Sequence, residues 1–128
     1  GAAEGLIAEG RANEAREGLL NALENLPQRI YRVMDSYAYT FFVDALYQVG
    51  EPERAAEVID RNVRFLDGQL KYFIAIADTK PNHEMQNIQY CLFTLQRFSN
   101  TAKEQGQTEI HNRIEQMTEG YSQLFLRK

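Results

Sequence analysis

At 128 residues the chain is long enough for one domain with a real core, since folding at this size hides about two-thirds of the unfolded surface. Apolar residues make up 44% and charged residues 25%, the balance of a folded domain; three Pro and eight Gly are too few for a linker. The net charge is −4, and Arg11, Arg16, Arg29, Arg32, Arg54, Arg61 and Arg64 are scattered, which argues against a nucleic-acid surface built from clustered cations.

A single cysteine, Cys91, leaves no partner for an intrachain disulfide. Its neighbours Tyr90, Leu92 and Phe93 predict a buried, structural thiol. No apolar run approaches the roughly 18 residues of a membrane span, and no signal-peptide pattern is present. The chain opens on Gly with no initiator Met, and the expectation is a fragment of a longer protein.

Residues 2–9 are short and Ala-rich and read as the tail of a preceding helix, broken by Gly10. From Arg11 to Leu26, Ala12, Ala15, Leu19, Ala22, Leu23 and Leu26 recur at three- and four-residue steps, which predicts a helix with one buried stripe. Asn13 is a candidate cap, and Pro27 is expected to end the helix by restricting the residue before it. Gln28 to Met34 has no clear pattern.

Asp35 or Ser36 is expected to cap the next helix, which runs to Val49. It is apolar on most sides: Tyr37, Ala38, Tyr39, Phe41, Phe42, Val43, Ala45, Leu46, Tyr47 and Val49. Such a helix belongs between neighbours. Gly50 provides the left-handed stop, Glu51 sits at the next cap, and Pro52 takes the first helical position, where its missing N–H costs nothing.

Ala55, Ala56, Ile59, Val63 and Leu66 stripe the helix that follows. It is expected to continue past Asp67-Gly68, with a bend, to about Ala77. Asp78 to Asn82 reads as a loop containing Pro81. Another helix spans Glu84 to Gln105, with Met85, Ile88, Leu92, Leu95, Phe98 and Ala102 along one side, and stops at Gly106. Thr108 to Leu126 forms the last, with Ile110, Ile114, Met117, Tyr121 and Leu124 apolar. The expectation is five helices plus a partial first one. Short loops make successive helices antiparallel.

Catalytic patterns are missing. His83-Glu84 opens like a zinc-protease motif, but Asn87 stands where the second His is required. His83 and His111 are the only histidines, both expected at the surface, so no metal site is expected. There is no glycine-rich phosphate loop and no nucleophile elbow. Glu51/Glu53 and Glu57/Asp60 read as helix-start and solvated-face charges rather than an acid–base pair. No enzyme activity and no cofactor is expected.

The glycines carry a repeat. From Gly10, the residues 5, 9, 12, 13 and 17 positions on are Ala15, Leu19, Ala22, Leu23 and Pro27; from Gly50 they are Ala55, Ile59, Asn62, Val63 and Asp67. These positions resemble the second helix of a tetratricopeptide repeat, and Tyr39, Phe42, Val43, Ala45 and Leu46 resemble its first helix. The glycine spacing departs from the usual period of about 34, and the unit after Gly106 has His111 where Ala is usual, so the later repeats are degenerate. The resemblance implies a single domain over residues 1–128: all-α, stacked antiparallel helical hairpins in a right-handed array.

It also implies a concave groove lined by Tyr37, Thr40, Asp44, Tyr47 and Gln48 on one helix and Phe93, Gln96, Asn100 and Lys103 on the later one. Such a Tyr-rich face suits an extended peptide or a partner helix, while packing within the domain or against a parent chain competes for the same side chains.

The segment Tyr39-Thr-Phe-Phe-Val-Asp-Ala-Leu-Tyr-Gln-Val-Gly-Glu-Pro-Glu-Arg-Ala55, with Leu70-Lys-Tyr-Phe73 and Ala102-Lys-Glu-Gln-Gly-Gln-Thr-Glu109, resembles the soluble C-terminal region of bacterial multi-spanning membrane proteins similar to protein O-mannosyltransferases. That resemblance implies an accessory domain on the extracytoplasmic side, with any glycosyl transfer left to the membrane part. The function expected is a non-catalytic protein- or peptide-binding scaffold. Two alternatives stay open: a domain that holds a glycan or lipid-linked donor, and a structural spacer. Open repeat ends also leave room for a homodimer.

Overall fold

The computed structural model describes residues 10–27, 29–77 and 81–126. These form five helices and no strand: α1, Ala12–Glu24; α2, Val33–Gln48; α3, Pro52–Ala77; α4, Pro81–Glu104; and α5, Thr108–Leu126. The expected partial helix over residues 2–9 and the loop residues 78–80 lie outside the described residues.

The glycine corners after α2 and α4 are built alike. Gly50 (φ 80°) and Gly106 (φ 76°) adopt the left-handed conformation that an L side chain resists. After α2, the Glu51 N–H donates to Leu46 O at 2.9 Å and the Gly50 N–H to Tyr47 O at 3.1 Å. After α4, Gln107 donates to Ala102 O at 2.8 Å and Gly106 to Lys103 O at 3.1 Å. Each is a Schellman turn, which satisfies carbonyls that the helix end would otherwise leave unpaired. Pro52 opens α3 as expected, with Glu51 O accepting from the Ala55 N–H at 3.0 Å.

Several boundaries depart from the sequence reading. Helix α1 ends at Glu24, before Pro27 acts, because Asn25 folds its side-chain amide back onto Asn21 O at 2.9 Å. Asn13 lies inside α1 and caps nothing; the N-cap is Arg11, without a side-chain cap bond. At the start of α2 the N-cap is Arg32, again without a side-chain cap bond. Asp35 pairs with Arg32 at 3.4 Å, and Ser36 turns into the core. Helix α3 continues through Asp67-Gly68, where the glycine is exposed and a side chain would meet open space. Pro81 opens α4 instead of lying in a loop, because proline suits the first helical position.

Named contacts fix the directions of packing. Ser36 of α2 meets Asn62 of α3, and Ser99 of α4 meets His111 and Glu115 of α5, so both hairpins are antiparallel. Across α2 and α4, Tyr37 meets Tyr90 and Phe93, Phe41 meets Arg97, and Asp44 meets Thr101. Both chains ascend together, so α2 and α4 are parallel. Helix α4 also packs along α3, and α5 lies against α4 and α3.

The core is shared by these four helices. Val43, Leu46, Ile59, Leu66, Leu70, Ile88, Leu95, Phe98 and Ile114 are buried, with Phe42 packed against them. Each large side chain so buried contributes about 1.5–3 kcal/mol. Ala55 and Ala102 are fully buried, and their small side chains let adjacent helices come close. Cys91 is buried as expected, and burial pushes its thiol up to about 12. Met85, expected on the buried stripe of α4, is exposed, as are Ala12 and Ala22 of α1 and Leu124 of α5.

Among the buried polar side chains, Ser36 and Asn62 pair across α2 and α3. Ser36 Oγ donates to Asn62 Oδ1 at 2.8 Å, and Asn62 Nδ2 donates to Val58 O at 2.8 Å. Paired in this way, the two side chains avoid most of the cost of burial.

Candidate functional site

Helix α2 is apolar on most of its circumference, and α1, α3 and α4 cover only part of it. Phe41 remains 50% exposed, and Phe93 on the facing part of α4 remains 53% exposed. Between them the rings form a cluster. Tyr37 stacks on Phe93 with centroids 5.8 Å apart and planes at 23°, and meets Phe41 edge-on at 5.7 Å. Tyr90 closes the cluster 5.9 Å from Tyr37. The Arg97 guanidinium carbon lies 5.5 Å from the Phe41 centroid and 5.9 Å from that of Tyr37, within cation–π range of both.

Toward the C-termini of α2 and α4 the same surface turns polar. Asp44 and Gln48 face Arg97, Asn100, Thr101, Glu104 and Gln105 across a cleft of about 290 Å³. Thr101 Oγ1 donates to Asp44 Oδ1 at 2.9 Å and holds the floor together. The two parallel helices end here, at Gln48 and Glu104. The Asp44 and Glu104 carboxylates make the cleft electronegative, against the Arg97 guanidinium at its inner edge.

Of the nine groove residues read from sequence, Tyr37, Asp44, Gln48, Phe93 and Asn100 lie on this face. Thr40 and Tyr47 do not: they are 1% and 9% exposed. At 100° per residue they sit about 60–80° round α2 from Tyr37, in the core. The Thr40 hydroxyl is satisfied by Tyr37 O at 2.7 Å. Among the described residues the Tyr47 hydroxyl is buried without a partner, and burial raises its pKa.

Gln96 and Lys103 are exposed but rotated toward α5. Gln96 Nε2 donates to Glu115 Oε1 and Asn100 Oδ1, each at 3.0 Å, and Lys103 contributes charge near Glu115. Phe41, Tyr90, Arg97, Glu104 and Gln105 belong to the face and were missed. The four-residue steps from Tyr37 to Phe41 and from Phe93 to Arg97 were the available signal.

A second polar cluster joins α4 to α5. Ser99 Oγ donates to Glu115 Oε1 at 2.6 Å and lies 2.8 Å from His111 Nδ1, which is 3.1 Å from Ser99 O. The serine proton goes to the carboxylate, so His111 Nδ1 carries a hydrogen and donates. His111, expected at the surface, is half-buried by this contact. The Ser99 bond, against partial burial and with help from Gln96, His111 and Lys103, holds the Glu115 carboxyl below its usual range. The residue types are those of a hydrolase triad, but the arrangement is not: Ser99 is 0% exposed, and the carboxylate binds the serine instead of orienting the imidazole. The cluster clamps two helices.

Among the described residues, no group of three His, Cys, Asp or Glu side chains is placed to hold a metal ion, and no helix is long and apolar enough to cross a membrane. Comparison with protein families, curated proteins and solved structures finds no match to this chain.

Proposed function

We propose that the chain is a non-catalytic interaction module that binds an extended peptide segment of a protein partner on the face shared by α2 and α4. One observation carries this reading. The uncovered apolar side of α2 is continuous, through Tyr37, Phe41 and Phe93, with a cleft lined by amides and carboxylates. Exposed rings supply contact area at low entropic cost, and side-chain amides suit the polar backbone of an extended chain. Tetratricopeptide-like stacking is supported by the parallel α2 and α4, the antiparallel hairpins and the two matching glycine corners. A role as the accessory tail of a glycosyltransferase-like membrane protein rests on the sequence resemblance, and a full-length gene product with membrane spans upstream tests it.

Glycan binding is the second reading, and one observation favours it: rings beside Asp44, Glu104 and Asn100 also match the chemistry of a sugar site. The two readings separate in one experiment. Random decapeptides displayed on phage are selected on the immobilised chain, and oligosaccharides are screened on an array. The peptide reading expects enriched clones that lose binding to Phe93→Ala, with no glycan retained. Glycan capture abolished by Phe93→Ala, with no peptide enriched, overturns it. Phe93 serves as the probe because it is exposed, whereas Tyr47 is buried and its loss would disturb the core.

A further inference from the structure

Resting on that peptide-binding reading, we infer that the α2–α4 face selects segments in which a Lys or Arg side chain follows or precedes an aromatic or large apolar residue at a fixed short spacing. Two independent features of the face set the two ends of this pattern. The aromatic end offers the exposed rings of Phe41 and Phe93. The polar end is the cleft where α2 and α4 terminate side by side.

The charge at the polar end is unbalanced from within. Asp44 and Glu104 place two carboxylates there against the one Arg97 guanidinium, while the negative ends of α2 and α4 lie beside the positive ends of α3 and α5, so the excess rests on the carboxylates. The last turn of α2 holds no basic residue. The one basic residue in the last turn of α4, Lys103, lies toward Glu115. Arg97 edges the cleft, but its guanidinium is engaged over Tyr37 and Phe41. A cation from a partner therefore finds complementary charge, and the carbonyl oxygens of Gln48, Asn100 and Gln105 accept from its remaining N–H groups.

The spacing follows from helix geometry. Phe41 to Gln48 is about 10 Å along α2, and Phe93 to Glu104 is about 16 Å along α4, at 1.5 Å per residue. An extended chain rises about 3.3 Å per residue, so the two side chains are separated by about three to five residues.

The test uses random decapeptides displayed on phage and selected on the whole chain. Selected peptides are then measured on Phe93→Ala and on the double variant Asp44→Asn/Glu104→Gln, both checked for helicity by circular dichroism. The expected result is enrichment of Lys or Arg three to five residues from an aromatic or large apolar residue. Affinity is expected to fall about two- to thirtyfold on the double variant, the scale of two exposed charge pairs. Norleucine in place of the peptide's Lys should give the same loss. Peptides that lose binding on Phe93→Ala, yet show no basic enrichment or no response to the double variant, overturn this inference and leave the peptide-binding reading standing. If nothing is enriched, or if Phe93→Ala binds the selected peptides unchanged, the peptide-binding reading fails and this inference fails with it.

Discussion

Tyr121 near the end of α5 donates its hydroxyl to the Asp67 carboxylate on α3, joining residues 54 positions apart. Lys71 reaches the same carboxylate at 3.0 Å. Partial burial works against ionisation of Asp67, but the Tyr121 hydroxyl and the Lys71 ammonium outweigh it and hold the carboxyl below its usual range. Burial first, then the Asp67 bond and charge, raise the Tyr121 phenol. A lowered Asp67 contributes stability that is present above the unfolded carboxylate value, near about pH 4, and is lost as pH falls through the lower folded value. A raised Tyr121 contributes stability that is present below about pH 10 and is lost as pH rises toward its folded value. Tyr121→Phe should cost about 1–2 kcal/mol at neutral pH, low for a charged hydrogen bond because both groups are partly exposed. It should also flatten both limbs of a stability–pH curve measured by urea unfolding. Unchanged limbs would remove this pair from the account.

The unpartnered Tyr47 hydroxyl gives a prediction of opposite sign. Removing a buried polar group that makes no bond relieves its desolvation cost, so Tyr47→Phe should stabilise the chain by about 1 kcal/mol. Thermal or urea unfolding of the two proteins measures the difference. A loss of stability would mean that the hydroxyl has a partner.

Gly50 and Gly106 are open to direct comparison. A side chain added at either meets nothing within 4 Å, so the cost is conformational alone. Alanine at each should destabilise by about 1–2 kcal/mol, the left-handed penalty, and the two losses should agree. A much larger loss at one corner would point to a contact that φ does not explain.

Phe98 is the largest fully buried side chain. Phe98→Ala should cost about 3–5 kcal/mol through lost transfer energy and the cavity left behind. Cys91 lies in the same core and reports on it: with its thiol pushed up to about 12, it should resist aromatic disulfide reagents in the native protein. In Phe98→Ala the labelling rate should rise with the unfolded population. Fast labelling of the native protein would contradict the burial described for Cys91.

Most helices were legible because apolar spacing, glycine stops and Pro52 pointed the same way; the Thr108–Leu126 limits came directly from the pattern. Misses fell where side chains made bonds that apolar spacing does not reveal, Ser36 across the core and Asn25 back onto its own helix. Ser36 left the cap for Asn62, and Asn25 ended α1 before Pro27 could. In the candidate site, periodicity located the right helices but misjudged their rotation. Thr40 and Tyr47 are as amphipathic as Tyr37, and only the placement of the helices packed on α2 decides that they turn inward. Arg97 was invisible as a site residue because its role depends on rings from α2, distant in the chain.

Among the described residues, helix α1 buries Ala15 and Leu19, packs the partly buried Leu23 against the core, and is tied on by Arg16 to Glu51 and, just past its end, by Arg61 to the Pro27 carbonyl. Its attachment free energy is therefore far smaller than that of the other four helices, and it can detach while they stay folded. Amide hydrogens of residues 15–24 should exchange with solvent orders of magnitude faster than those around Leu66 or Phe98, which makes α1 an early melting edge.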